Sequence, residues 1–225
     1  MSNSFKNKFL LLFLLTGINL STATAQQKTY DKSFYGGLFY LSDYVASDEF
    51  KFYTQNHSDL EAVDHIYEKG LSFFEGDKSE TFFCLAFLFL PYNNIKIKLP
   101  VTGTVITIPL PSAPSRIFDK KTRNTPKKIF FDTPDNDSGD RDKLAHFFAN
   151  AFLRHSVSIF NLSEFLGIFV EYIEQGFFLQ GGFDRRDLIV NHLGELFAEM
   201  VRENPNAKPS EALLIYQLLI FRIYP

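Results

Sequence analysis

The sequence predicts a predominantly helical α+β protein, with a C-terminal bundle of about four helices and a small antiparallel sheet or hairpin near residues 80–110. Three observations carry this prediction. Apolar residues recur at helical spacing in both halves of the chain, and one short segment, 95–99, alternates strictly between apolar residues and lysine. The 27 phenylalanines also supply ample apolar area for a core, although the chain has no tryptophan.

Residues 1–25 have the three parts of a secretory signal peptide. Two lysines and an apolar run at 9–15 precede Ala23-Thr24-Ala25, which matches the small-x-small pattern that signal peptidase accepts. The apolar run is short for a membrane span, which needs about 20 residues. We therefore expect cleavage near Ala25 and an exported protein of the periplasm or cell envelope, with an uncleaved anchor as the alternative.

The charge balance bears on the class of partner. Cleavage would remove two lysines and no acids, which moves the formal charge from −3 to −5. A mildly acidic domain has no electrostatic reason to seek nucleic acid or an anionic membrane surface. We expect no nucleic-acid partner, at most peripheral membrane contact, and partners among envelope components or another envelope protein.

Residues 26–118 are predicted to form a helical part that carries the small sheet. One helix is expected around 42–53. A clearer one starts at Ser58, whose spacing from Glu61 is that of a capping box, and ends before Gly76. The mature length suits one domain, so this part could form a single compact unit with the C-terminal bundle.

The sheet is predicted from a change of period after residue 80. A continuous apolar run at 81–90 contains the only cysteine, Cys84, for which we expect a buried and inert thiol. The alternating segment and the turn signal Thr102-Gly103 then predict pairing between 95–100 and 104–109. Lys96 and Lys98 should face solvent, and Ile95, Ile97 and Leu99 should face the core.

Residues 119–141 are interpreted as a polar, solvated connector. Its segment 135–140 resembles a calcium-binding loop, but it lacks the glycine at the sixth position and a correctly placed bidentate glutamate. Calcium binding is therefore the less favoured alternative for this segment.

Residues 142–225 have a helical pattern to the end. The first helix carries a core-facing stripe at 144, 147, 148, 151 and 152. The second, capped by Asn161 or Ser163, is apolar around most of its circumference. A third should be capped by Asp184 and end near Pro205, and a last one, 211–223, should be capped by Ser210.

Each of the first three helices also has a polar stripe with a spacing of three or four residues. The third stripe ends in Gly194 and Ala198, small residues that would let a neighbouring helix approach closely and bury the polar groups beside them. Their members are Asp142, His146 and Asn150 on the first helix; Glu164, Gly167, Glu171 and Gln175 on the second; and Asp187, Asn191, Gly194 and Ala198 on the third.

These stripes carry a family resemblance that covers about residues 140–200. The order D-K-x-x-H at 142–146, a glutamate and glutamine helix at 171–175, and D-x-x-x-N-x-x-G at 187–194 resembles the signature of YfiM-like envelope proteins. It is more distantly similar to VanZ-like membrane proteins, which usually add an arginine before the last motif, where this chain has glycines. The resemblance implies an envelope setting and carries over no established catalytic residue.

The candidate site is the polar constellation itself, which has several interpretations. It could be a hydrogen-bonded network that fixes helix register, a site for a divalent metal such as zinc, manganese or iron, a general acid–base pair, or ordinary solvent-facing polarity. Its members are Asp142, Lys143, His146, Glu171, Gln175, Asp187 and Asn191, of which His146, Glu171 and Asp187 are the candidate metal ligands.

The sequence favours a binding or scaffold protein of the envelope over an enzyme. It has no nucleophile elbow, no H-E-x-x-H, no phosphate-binding glycine loop and no dinucleotide fingerprint. The alternative is a metal-dependent hydrolase that acts on an envelope lipid or glycan. If the stripes form one site, His146 should lie about 3 Å from Glu171, Asp187 or Asn191, in a largely buried group.

Overall fold

The computed structural model describes residues 28–98, 102–156 and 185–223. The chain is mostly helical, with one small antiparallel sheet, as the sequence predicts. The predicted signal peptide, the second helix of the C-terminal bundle and its candidate residues Glu171 and Gln175 lie outside the described residues, as does the predicted cap Asp184.

Four helices form the N-terminal half: α1 (Phe34–Val45), α2 (Asp48–Asn56), α3 (Asp59–Phe73) and α4 (Lys78–Phe89). Each begins at a side-chain cap that accepts a hydrogen bond from a backbone amide of the first turn. These caps are Ser33, Ser47, Ser58 and Asp77.

The helix expected around 42–53 is wrong as a single element. α1 ends at Val45, and Ser47 caps a new helix by accepting the amide of Phe50. A serine that bonds a local amide offers the backbone an alternative to continuing the helix, which explains the break. The capping box of Ser58 and Glu61 is confirmed in both directions.

The apolar run at 81–90, which we assigned to the sheet-bearing segment, is helical instead. It forms most of α4, which packs against α1 and α3 and against α6 (Arg141–Ser156). A helix surrounded on several sides is apolar around its circumference, so it shows no helical period in the sequence. Cys84 is fully buried there, and burial raises the pKa of its thiol.

The sheet is confined to the hairpin of β1 (Asn94–Lys98) and β2 (Val105–Pro109). The strands pair in antiparallel register, Ile95 opposite Ile108, which confirms the predicted pairing. Ile95 is buried and Lys96 is exposed, as predicted. The side chains of residues 97–99 lie outside the described part of the structure.

Residues 119–141 are only in part the solvated connector that the sequence predicts, since 131–132 and 134–138 are exposed. The helix α5 (Ser115–Asn124) occupies the first part, and both Lys121 and Asp140 are buried. The Lys121 ammonium donates to the carbonyls of Leu88 (2.6 Å) and Leu90 (3.1 Å), at the C-terminal end of α4. Helix ends leave carbonyls without helical partners, and this lysine satisfies two of them.

The C-terminal half contains α6, α7 (Arg185–Glu203), α8 (Pro209–Leu213) and α9 (Ile215–Ile223). α7 ends before Pro205, as predicted. The last helix divides in two, and Ser210 lies inside α8, where its hydroxyl donates to Asp64 on α3 (2.6 Å). Ser210 therefore links the two halves by a hydrogen bond and does not cap a helix.

The two halves share one hydrophobic core. A single cluster of buried side chains extends from α1 through α4 and α6 to α7, α8 and the start of α9. The predicted stripe of α6 points into it: Leu144, Phe147, Phe148 and Ala151 are buried. Among the described helices, none combines the length and apolarity needed to cross a bilayer.

Candidate functional site

The candidate site lies where α6 packs along α7. Contacts between the two helices advance together along the chain, with Lys143 on Asp187, His146 on Asn191 and Arg154 on Glu199. The two helices therefore run in the same direction, and their polar stripes face each other. We call Asp142, Lys143, His146, Asn150, Asp187 and Asn191 the α6–α7 polar cluster.

Gly194 allows the close approach of the two backbones at this cluster. A Cβ atom at this position would lie 2.2 Å from the carbonyl oxygen of Phe147 and 3.1 Å from the Cβ of Asn150. Ala198, one turn further along α7, is fully buried. The prediction that small residues let the helices approach and bury their polar neighbours is confirmed for α6 and α7.

Lys143 is the centre of charge in the cluster. Its side chain is 5% exposed, and its ammonium lies 2.6 Å from Asp187 Oδ1 and 2.9 Å from Asp142 Oδ2. The ammonium thus links the first turns of both helices. Removing one partner of such a buried pair leaves an uncompensated charge, which is strongly destabilising. Aspartates also interact favourably with the N-terminal end of a helix, where both carboxylates lie.

His146 makes the interhelical contact that the sequence predicts. Its Nδ1 lies 3.1 Å from Asn191 Oδ1, and its side chain is 10% exposed. Burial lowers the pKa of this imidazole; the Asp187 carboxylate, whose Oδ1 is 3.7 Å from Nε2, raises it, and the Lys143 ammonium lowers it again. The resulting pKa lies below the ordinary histidine value, which favours a neutral ring at physiological pH.

A second hydrogen bond fixes the orientation of Asn191. Asn150 Nδ2 donates to Asn191 Oδ1 (2.8 Å) and to the carbonyl oxygen of His146 (2.9 Å). The amide of Asn150 donates to Asn191 Oδ1, which is therefore an acceptor. A neutral His146 must then donate to the same Asn191 Oδ1 from its Nδ1. Three polar side chains are therefore locked together across the helix interface, with one defined histidine tautomer.

The donor set provides only a partial metal site. Of the three candidate ligands, His146 and Asp187 are neighbours, while Glu171 lies outside the described residues. In the ranges 28–98, 102–156 and 185–223, no three histidine, cysteine, aspartate or glutamate side chains are grouped as metal ligands. The Lys143 ammonium also occupies the space between the Asp142 and Asp187 carboxylates, where a second cation would be repelled.

A second polar network, which the sequence did not predict, lies beside this cluster. The buried Asp140 carboxylate accepts the amides of Ile129 and Phe130 through Oδ2, and Arg186 on α7 through Oδ1 (2.6 Å). Arg186 also donates to Asp132 (3.1 Å) and to the Tyr216 hydroxyl (3.0 Å). Asp140 is the last residue of the segment that resembles a calcium-binding loop. Its carboxylate is instead bound by backbone amides and by the Arg186 guanidinium.

No local signal in the sequence identifies this second network. Asp140 and Arg186 are 46 residues apart, and neither belongs to a periodic stripe. Asp140 directly precedes α6, a position at which an aspartate is expected to act only as an N-cap. Its side chain instead binds the preceding loop and α7, which only the tertiary structure shows.

Comparison of the chain with protein-family models, with curated proteins and with solved structures gives no match. The resemblance to YfiM-like and VanZ-like proteins over residues 140–200 accordingly stays a prediction from the motifs. What the geometry establishes is narrower: two of the motifs, D-K-x-x-H and D-x-x-x-N-x-x-G, face each other across one helix interface.

Proposed function

We propose that this chain is an exported binding or scaffold protein of the cell envelope, in which the α6–α7 polar cluster fixes the register of the helices. The observation that supports a structural role most directly is the ammonium of Lys143 between the carboxylates of Asp142 and Asp187. A buried, internally paired cluster of this kind specifies one arrangement of two helices. The motif resemblance supplies the envelope setting.

The second candidate is a metal-dependent hydrolase that acts on an envelope lipid or glycan. It is supported by the proximity of a neutral imidazole, His146, to the Asp187 carboxylate at 3.7 Å. A neutral imidazole and a carboxylate are zinc, manganese or iron ligands, and Asn191 would orient the imidazole from its other nitrogen. Glu171 would have to complete the ligand set.

One experiment separates the two candidates. We expect purified protein to contain less than stoichiometric zinc, manganese or iron by elemental analysis, and to melt at the same temperature with and without these ions. His146→Ala and Asn150→Ala should then both lower the melting temperature, because each removes a bond to Asn191.

A different result supports the hydrolase. Stoichiometric metal that is lost in His146→Ala but kept in Asn150→Ala would show that His146 is a ligand, since Asn150 belongs to the same cluster and is not a candidate ligand. That result would contradict the structural role. The location is tested separately: mass spectrometry should find the mature N-terminus at or within a few residues of Gln26, and recovery of the full chain from Met1 in the membrane would contradict cleavage.

A further inference from the structure

The charge of this chain is unevenly distributed. Residues 94–124 contain six basic residues and one acid, whereas the remaining chain contains 17 basic and 25 acidic residues. A net charge of −3 therefore conceals a segment of opposite sign. This segment comprises the hairpin and α5, and its charges are those of Lys96, Lys98, Arg116, Asp119, Lys120, Lys121 and Arg123.

Most of these cations are directed to solvent. Lys121 is buried, but Lys96, Arg116, Lys120 and Arg123 are exposed. In the described part of the chain, none of these four forms an ion pair with a carboxylate. Positive charge without an internal partner is available to an external anion.

The base of the hairpin and α5 both lie beside the C-terminal end of α4. The hairpin is closed at its base by a bond from the Leu110 amide to the Asn93 carbonyl (2.9 Å). Lys121 of α5 binds the carbonyl of Leu90, three residues before that base. Both elements that carry the exposed cations are therefore attached at the C-terminal end of α4.

Apolar side chains accompany these cations on the hairpin. Ile95 is 2% exposed at the base, but Ile106 is 38% exposed and Val105 56% exposed near the distal end of β2. A two-stranded hairpin has two free edges and little stability of its own. Its distal end presents branched apolar side chains to water, Val105 on the same face as Lys96 and Ile106 on the opposite face.

We propose that these two elements form a docking site for the anionic surface of a lipid bilayer. The basic hairpin surface consists of Lys96, Arg116, Lys120 and Arg123 with the apolar pair Val105 and Ile106. The cations would lie among anionic headgroups while the apolar pair enters the interface, the combination typical of peripheral membrane binding. The inference rests on the proposed envelope role for its choice of target.

The apolar pair distinguishes a bilayer from a nucleic acid as the target. Either polyanion would attract the four cations, but single-strand binding uses aromatic rings that stack on bases. Val105 and Ile106 have no aromatic ring on which a base could stack. Their apolar side chains would leave water on entering the headgroup layer. The other exposed positions of β2, Thr107 and Pro109, provide no aromatic ring either.

Co-sedimentation with vesicles tests this docking site, using the protein as purified from its producing cell. We expect binding to vesicles of phosphatidylglycerol and phosphatidylcholine that exceeds binding to pure phosphatidylcholine at least tenfold and weakens as salt rises. Lys96→Gln or Lys120→Gln should each lower the partition coefficient about fivefold. Val105→Asp should lower it further, because a carboxylate would enter the anionic interface.

Matched controls lie elsewhere on the surface. Lys128→Gln removes an exposed lysine outside the segment, and Leu218→Asp places a carboxylate at an apolar position that is 70% exposed. Both should bind as the wild type does. All substituted side chains are exposed, so unchanged circular dichroism and melting temperature would show that binding, and not folding, has changed.

Three results would overturn the proposal: equal binding to neutral and anionic vesicles, full binding by the Lys96 and Val105 variants, or binding to duplex DNA in place of vesicles. None of these would bear on export or on the α6–α7 polar cluster, which the N-terminal mass and the metal analysis test independently.

Discussion

At the scale of single residues, the structure depends on a few positions whose surroundings restrict which residue can stand there. Gly194 is one, because the backbone of α6 occupies the space that a Cβ would need. Lys121 is another, because its ammonium is buried against two carbonyls at the end of a helix. Both have consequences that unfolding measurements can detect.

Gly194→Ala should destabilise the fold by about 3 kcal/mol, since the added methyl group meets a backbone carbonyl and the helices must separate. Gly70→Ala is the matched control: that glycine is also buried and helical, but its nearest neighbour, 3.0 Å away, is a side-chain methyl of Thr81. The control should be near neutral because alanine favours helix. Equal free energies of unfolding in urea for Gly194→Ala and the wild type would contradict the close approach.

Lys121 should make stability depend on pH. Burial, and secondarily the charge of Arg141, lower the pKa of this amine from 10.5 to about 7. Between these two values the unfolded chain binds more protons than the folded one, so this residue's contribution to the free energy of unfolding rises with pH and is lost as pH falls through about 7.

The test compares Lys121→Met with the wild type at several pH values. The unfolding free energy of the wild type minus that of Lys121→Met should increase between pH 7 and 9, by up to about 1.4 kcal/mol per pH unit. The variant must be compared with the wild type because Cys84 also makes stability depend on pH. Burial raises the pKa of its thiol, which lowers the unfolding free energy of both proteins as pH rises. Lys120→Met, an exposed neighbour, should show a constant difference; a constant difference for Lys121→Met would refute the prediction.

At the scale of secondary-structure elements, the sequence predicted what depends on neighbouring residues. The capping box of α3 and the register of the hairpin follow from signals within a few positions, and both are confirmed. α4 was misassigned because its burial on several sides removes the helical period. The burial of Asp140 was missed because its partner on α7 is 46 residues away.

The candidate site follows the same division. Stripes of period three to four place Asp142, His146 and Asn150 on one face of α6, and Asp187 and Asn191 on one face of α7, which any helix requires. The two faces can meet because Gly194 has no side chain. The sequence already marked Gly194 as a small residue that permits close helix packing. The pairing of Lys143 with two carboxylates, and the parallel direction of the helices, required the tertiary structure.

The Asp140 network attaches an irregular loop to two helices, which gives an element-scale prediction. Asp140→Ala should destabilise the fold by about 3 kcal/mol, because it removes one of the two carboxylates paired with Arg186 and the buried acceptor of the Ile129 and Phe130 amides. Asp135→Ala, in the same loop but exposed, should change stability by less than about 0.5 kcal/mol. Similar urea midpoints for the two variants would contradict the structural role of Asp140.

At the scale of the whole molecule, the two halves are connected by polar bonds as well as by the core. Asp64 on α3 accepts both the amide (2.8 Å) and the hydroxyl (2.6 Å) of Ser210 on α8. Asn124 of α5, in the segment between the halves, donates to the carbonyl of Val45 at the end of α1 (2.9 Å). The division at residues 119–141 suggested by composition is therefore not a division of the folded structure.

The last prediction follows from the shared core: the described halves should unfold together. Leu85 of α4 is fully buried in the cluster that also contains Phe147 and Phe197, so neither half keeps its core without the other. Leu85→Ala should cost about 2–5 kcal/mol by leaving a cavity. Hydrogen exchange in urea, followed by mass spectrometry, should show peptides of α3 and of α7 losing protection at the same lowered concentration. Leu218→Ala, at a mostly exposed position, should move neither transition. Loss of protection in α3 alone would mean that the halves are separate cooperative units, despite the contacts between them.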